Sequence, residues 1–123
     1  MDGESRPKVY DLEDRTLEFA RQVRRFVKSL PRTTGNFEDS KQVIRSSGSV
    51  GANYIEANEA LSQKDRVMRM RISRKEAKET RYWLRLIDTG TDPAIESQRL
   101  ALIQESTELM NILAAIIRKL APN

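Results

Sequence analysis

The feature that most constrains the fold of this chain is a run of small residues inside a helical pattern. Six of the seven positions from Ser46 to Ala52 are Ser, Gly or Ala, and the apolar spacing stays in phase on both sides. Each glycine costs a helix about 1 kcal/mol relative to alanine, and a closely packed neighbouring backbone offsets that loss. The pattern therefore predicts one continuous helix in close contact with another. The alternative is two short helices around a Ser/Gly loop.

The composition favours long amphipathic helices in a single domain. The chain has 123 residues, of which 38% are hydrophobic and 33% are charged. It contains neither cysteine nor histidine, which excludes disulfides, thiolate chemistry, Ser-His-Asp triads and His-containing zinc sites. The N-terminal residues lack the apolar stretch of a signal peptide, and no apolar run approaches the length that spans a bilayer. We expect a soluble cytoplasmic protein with no cofactor.

Apolar spacing and end signals predict four helices. Their predicted bounds are 11–30 for the first, Asn36 (as N-cap) to Ala60 for the second, Ser62 (as the cap of a box with Asp65) to Asp88 or Thr89 for the third, and Asp92 (as N-cap) to Leu120 for the fourth. Residues 1–10 are expected to form a flexible arm, and residues 11–121 the domain. Four long helices with short connections predict an all-α, antiparallel up-down-up-down four-helix bundle.

The helix faces also predict how the bundle packs. Ser73 and Ala77 lie in the middle of a regular three-four seam on the third helix, so we expect Gly48 and Gly51 of the second helix to pack against them. The fourth helix is apolar nearly all round over residues 109–117. Because the other three helices cannot easily surround it, this segment predicts a contact between subunits.

Positive charge is concentrated on the third helix. The whole chain has a net charge of +4, whereas residues 64–85 carry nine basic and three acidic side chains, a net charge of +6. Such a helix indicates a polyanionic partner, with Tyr82 and Trp83 available to stack on bases; a solvated face without a partner is the alternative. Of these two rings, one is expected inside the bundle and the other against a neighbouring subunit. The candidate nucleic-acid-binding residues are Arg66, Arg69, Arg74, Lys78, Arg81 and Arg85.

Two Glu-x-x-Glu pairs lie on successive predicted helices. Glu56/Glu59 and Glu76/Glu79 each place two carboxylates on one helix face, an arrangement that holds Mg²⁺ in all-α nucleotide pyrophosphohydrolases. The many neighbouring bases favour ion pairs instead, so we expect no metal site and no catalytic residue. We expect a polar network between the second and third helices, in which Arg45 pairs with a third-helix glutamate. Its predicted members are Arg45, Asn53, Glu56, Glu76 and Glu79.

Four short motifs in this stretch carry a family resemblance. They are Arg45-Ser46-Ser47-x-Ser49-Val50-x-Ala52-Asn53, Glu56-Ala57, Lys75-Glu76-Ala77-x-Glu79 and Tyr82-Trp83-Leu84. Through them the chain resembles, over residues 10–120, the four-helix-bundle proteins encoded in intervening sequences of bacterial 23S ribosomal RNA genes. The resemblance implies an antiparallel bundle assembled as a homopentameric ring. A similar fold occurs in the accessory protein of diversity-generating retroelements, a basic pentamer that works with a reverse transcriptase and RNA.

These patterns lead to one functional hypothesis and two alternatives. The hypothesis is a non-catalytic, homo-oligomeric four-helix bundle that binds nucleic acid, structured RNA in particular, through its third helix. The first alternative is a scaffold that binds another protein on the ring surface. The second is a Mg²⁺-dependent nucleotide pyrophosphohydrolase. The family that the chain resembles has no established enzymatic activity.

Overall fold

Four helices make up most of the chain that the structure, a computed structural model, describes. It describes residues 11–122, so the arm predicted for residues 1–10 lies outside them. The helices are α1 (Leu12–Lys28), α2 (Thr34–Asn58), α3 (Gln63–Leu86) and α4 (Pro93–Leu120). No strand occurs between residues 11 and 122. The prediction of an all-α protein with four helices is confirmed.

Each helix begins at a side chain that caps its first turn. Asp11, Ser62 and Asp92 accept backbone N–H bonds at the starts of α1, α3 and α4, as predicted for Ser62 and Asp92. The prediction that Asn36 caps α2 is wrong. Thr33 takes that position, because its Oγ1 accepts the backbone N–H of Asn36 at 3.1 Å.

Asn36 instead links the start of α2 to the segment that follows α3. Its buried amide donates to the carbonyls of Pro31 at 3.0 Å and Asp88 at 2.8 Å, and its Oδ1 accepts from the Asp88 N–H at 3.0 Å. These bonds hold Asp88 in the connecting segment, so α3 ends at Leu86 rather than at the predicted 88–89. Gly90 has a φ of +70° in the turn that leads to α4.

The core is built from one seam of buried side chains on each helix. α1 packs against α2 and α4, and α3 packs against the same two helices. The predicted three-four seam of α3, from Met70 to Ile87, is buried throughout. The largest fully buried side chains are Phe19, Phe26, Leu84, Leu109 and Leu113.

The two glycines of the small-residue run face α1. α2 continues unbroken through the run, so the prediction of one helix is confirmed and the two-helix alternative is wrong. The expected contact of Gly48 and Gly51 with Ser73 and Ala77 is also wrong. A Cβ built on Gly51 would lie 2.6 Å from Thr16 Oγ1 of α1, and one built on Gly48 would meet only an Arg24 nitrogen at 3.9 Å.

Hydroxyl groups form hydrogen bonds across the contact between α2 and α3. Ser73 Oγ donates to the Val50 carbonyl at 2.7 Å, and Thr80 Oγ1 lies 2.8 Å from Ser46 Oγ. All of these positions are fully buried, and so is Ala77 between them. Seven consecutive residues span nearly two turns of helix, so the small run of α2 faces two neighbours, with its glycines toward α1 and Ser46 toward α3.

The most apolar helix is α4. Its Leu109, Leu113 and Ile117 are buried, whereas Met110, Ile112, Ala114, Ala115 and Ile116 are half-buried. Within residues 11–122, α4 alone is long and apolar enough to cross a membrane by length and composition, so the expectation that no segment approaches that length was wrong. The core helix of a soluble protein meets the same criterion.

Candidate nucleic-acid interface

The nine basic side chains of α3 divide into two sets around the helix. Three are half-buried, and six are exposed on the outward side. We call the exposed set the outward row. Successive residues turn by about 100°, so all six members lie within roughly one third of the helix circumference. They are Lys64, Arg71, Arg74, Lys75, Lys78 and Arg85.

The half-buried bases contribute hydrogen bonds and ion pairs to the fold. Arg66 donates to the Ala57 carbonyl in the last turn of α2 at 3.3 Å and to the Ala60 carbonyl after the helix at 3.2 Å. Arg81 donates to Thr107 Oγ1 of α4 at 3.1 Å, and Arg69 lies 3.9 Å from Asp65 on its own helix. Three of the six predicted nucleic-acid-binding residues are therefore engaged within the protein.

The outward row contains only positive charge. The three acidic residues of α3, Asp65, Glu76 and Glu79, are half-buried and are paired with Arg69 or Arg45, which lie outside the row. Within residues 11–122, no side chain of the row makes a hydrogen bond or an ion pair. Its members from Lys64 to Arg85 extend over about 32 Å of helix. This surface has the charge and reach to contact several phosphates.

Half of the row was missed by the sequence prediction. Arg74, Lys78 and Arg85 were predicted, whereas the other three members, Lys64, Arg71 and Lys75, were not. The signal that identifies them is their position opposite the buried seam of α3. On a helical projection all three lie within about 40° of the point opposite the centre of that seam, whereas Arg66 lies in phase with the seam itself.

Two aromatic rings lie beside the row. Tyr82 is 57% exposed and stands between Lys78 and Arg85 on the same side of the helix. Trp83 is half-buried and packs against the core, as predicted for one of the two rings. The ring centroids are 5.1 Å apart with an angle of 78° between the planes, an edge-to-face contact. A subunit contact for Tyr82 stays a prediction.

Arg45 of α2 reaches two glutamates of α3. Its guanidinium lies 3.3 Å from Glu76 Oε1 and also contacts Glu79 Oε2. The hydrogen bond to Glu79 is the main reason that the pKa of Arg45 lies above its ordinary value. The same Glu79 oxygen accepts a bond from Trp83 Nε1 at 3.1 Å. The network thus connects α2, α3 and the half-buried indole.

The other two predicted members of the network lie outside it. Asn53 donates to the Ser49 carbonyl of its own helix at 3.0 Å. Glu56 is exposed, and it has no hydrogen bond or ion pair among the residues that the structure describes. Over that same part of the chain, no group of three or more carboxylates is placed to hold a metal ion. The two Glu-x-x-Glu pairs are therefore not combined in one site.

Two apolar grooves lie on the surface. One, of about 830 Å³, runs between the start of α3 and the end of α4, with bases of the outward row at its edge. Its lining includes Met68, Ile72, Leu120, Lys64, Arg71 and Lys75. The other, of about 640 Å³, lies between the end of α1 and the start of α2, where Phe37 is 63% exposed.

The fold and this surface define an all-α four-helix protein whose third helix presents a basic outward face. The chain belongs to the 23S rRNA-intervening sequence protein family, whose family model matches residues 9–115, as the motifs predicted. It is similar to the crystal structure of a protein with unknown function from the S23 ribosomal protein family of Bacteroides thetaiotaomicron. That similarity has a TM-score of 0.75 and 37% identity, and it covers 86% of this chain and 97% of that chain. No curated protein matches the sequence.

Proposed function

We propose that this protein is a non-catalytic, oligomeric four-helix bundle of the cytoplasm that binds nucleic acid through the outward row of α3. The observation that carries the proposal is a set of six exposed bases with no acidic residue among them. Lys and Arg side chains that neutralise phosphates supply the sequence-independent part of nucleic-acid affinity. The family description refers to 23S rRNA, which makes structured RNA the first polyanion to test.

The test compares charge removal at two places on the same protein. The first variant, Arg74→Gln/Lys75→Gln/Lys78→Gln, neutralises the middle of the outward row. The second, Arg21→Gln/Lys28→Gln/Arg32→Gln, removes three exposed bases from α1 and the turn after it. Fluorescence anisotropy with a labelled RNA hairpin is expected to show at least about a tenfold loss of affinity for the first variant and little change for the second. Equal losses would contradict the proposal.

We also propose that the bundle is antiparallel up-down-up-down and that five copies form a ring. The topology is supported by contacts between opposite helix ends. Asn36 at the start of α2 bonds to Asp88 after α3, and Gln63 at the start of α3 donates to the Leu120 carbonyl at the end of α4 at 2.8 Å. The half-buried side of α4 and the two grooves supply apolar surface for subunit contacts.

Native mass spectrometry tests the assembly. Five copies give a particle of five times the 14.2 kDa of one chain. Each copy carries a net charge of +4 and one outward row. A ring would therefore present several rows, and a larger total positive charge, to one polyanion. A monomeric mass at working concentrations would refute the ring, and RNA binding by single chains would remain testable with the same two variants.

The protein scaffold remains the second candidate because of the groove between α3 and α4. Its apolar floor and basic edge fit an amphipathic helix with acidic flanks. Affinity for such a helix would depend mainly on Met68 and Ile72, and affinity for RNA mainly on the bases and on salt. The pyrophosphohydrolase alternative gains no support, since Glu76 and Glu79 form ion pairs with Arg45.

A further inference from the structure

We infer that the bound nucleic acid is single-stranded where it crosses Tyr82, and that the Tyr82 ring stacks on one unpaired base. This inference rests on the proposed function. It adds that the nucleic acid is single-stranded at this point and names the residue that contacts the unpaired base. In a structured RNA the unpaired base would lie in a loop, a bulge or an end.

The position of Tyr82 in the outward row is the first observation. The ring lies one turn after Lys78 and one turn before Arg85, on the same side of the helix. It is 57% exposed, and within the described residues its hydroxyl makes no hydrogen bond. Proteins that bind single strands combine a basic track for the backbone with exposed rings that stack on bases, and this face contains both.

The second observation is that Tyr82 is held from the side by its neighbours. The Trp83 ring makes an edge-to-face contact with it, at a centroid distance of 5.1 Å. Trp83 is oriented in turn by its bond to Glu79, and the guanidinium of Arg45 contacts the same carboxylate. A ring that is already positioned loses less conformational entropy when a base stacks on it. The network predicted as structural therefore also positions the candidate stacking residue.

The geometry of RNA decides between single and double strands. In an A-form duplex the faces of internal bases are covered by their neighbours, and the deep, narrow major groove excludes side chains. The outward row alone would bind a duplex through phosphates without any role for an exposed ring. Tyr82 gains a stacking partner only when a base leaves the helical stack.

The test uses three probes of the same length, about 12 nucleotides. They are a single-stranded RNA, the blunt duplex of the same sequence, and an oligomer with the same sugar-phosphate backbone but abasic at its central positions. Wild-type protein is expected to bind the single strand about tenfold more tightly than the abasic oligomer. Tyr82→Ala should abolish that preference and leave duplex affinity unchanged, whereas Tyr82→Phe should retain it. Lys78→Gln, a neighbouring phosphate contact, should weaken binding to all three probes alike.

Each other outcome contradicts the inference. If wild-type protein binds the single strand and the abasic oligomer equally, or if Tyr82→Ala weakens all probes alike, Tyr82 does not stack on a base and the proposed function survives. If Tyr82→Ala changes the number of subunits in native mass spectrometry, Tyr82 is a subunit contact instead. If no probe binds, the proposed function and this inference both fail.

Discussion

Two neighbouring residues of α3, Ala77 and Lys78, have opposite environments. Ala77 is fully buried against α2, whereas Lys78 is exposed and makes no side-chain contact with charged groups of the described chain. Arg81, one turn after Ala77 along the helix, is half-buried and donates to Thr107 of α4. The comparison of the inward and outward sides teaches that helical phase, and not residue type, determines whether a base of α3 stabilises the fold or is available to a ligand.

The largest expected effect comes from introducing glutamine at an inward and at an outward position of α3. Ala77→Gln should lower the free energy of unfolding by about 3 kcal/mol or more, because it overpacks a filled position and buries an amide. Lys78→Gln should change it by less than about 0.5 kcal/mol. Urea unfolding followed by circular dichroism measures both. Equal losses would show that the two sides do not differ as described.

The two glycines in the small run of α2 differ in the space around them, because Gly51 is packed tightly against α1 and Gly48 is not. Gly51→Ala should lower stability by about 1 kcal/mol, since overpacking against Thr16 outweighs the gain in helix propensity. Gly48→Ala meets only the end of the Arg24 side chain and should raise stability by about 0.5–1 kcal/mol. Thermal unfolding of the two variants measures the difference. Stabilisation by both would mean that α1 and α2 are less close at Gly51.

The next effect concerns the ion pairs on the flank of α3. Arg45→Ala should lower stability by about 1 kcal/mol, because Glu76, whose side chain is 12% exposed, loses its cation. Arg45→Ala combined with Glu79→Ala forms a double-mutant cycle that measures the coupling between the two residues. Zero coupling energy would show that Arg45 is solvated, like the bases of the outward row, and does not stabilise the fold through Glu79.

The smallest effect is a difference in acid sensitivity. Hydrogen bonds from Gln104 and from Arg15 lower the pKa of Glu108 below its ordinary value of 4.5. A carboxyl group whose folded-state pKa is lowered stabilises the fold above its unfolded-state pKa, and that contribution is lost as pH falls through the folded-state value. Glu108→Gln should therefore reduce the loss of stability below pH 4.5, measured by urea unfolding across a pH series. Arg85→Gln, in the outward row, should leave that loss unchanged.

Much of the fold could be predicted from the sequence because helix signals are local. The caps at Ser62 and Asp92 and the three-four seams depend on residues within one or two turns. The Asn36 error arose because its amide bonds to Asp88, 52 positions away, and no local pattern contains that contact. The contact of Gly51 with Thr16 of α1 was likewise missed. A small residue indicates that another helix packs closely there, but it does not indicate which helix.

The candidate site could be predicted only in part. The concentration of bases on the third helix, and Arg74, Lys78 and Arg85 within it, followed from the sequence. The roles of Arg66 and Arg81 did not, because they depend on carbonyl and hydroxyl groups that other helices bring close. The outward row became visible once burial fixed the phase of α3.

The salt dependence of RNA affinity tests most directly whether the outward row binds phosphates. The slope of log K against log salt concentration should be steep for the wild-type protein. It should be smaller by about 2 for Arg74→Gln/Lys75→Gln/Lys78→Gln, since each lost phosphate contact to a single strand removes about 0.7. The variant with Arg21, Lys28 and Arg32 replaced should keep the wild-type slope. A wild-type slope for the α3 variant would contradict the assignment of nucleic-acid binding to this face.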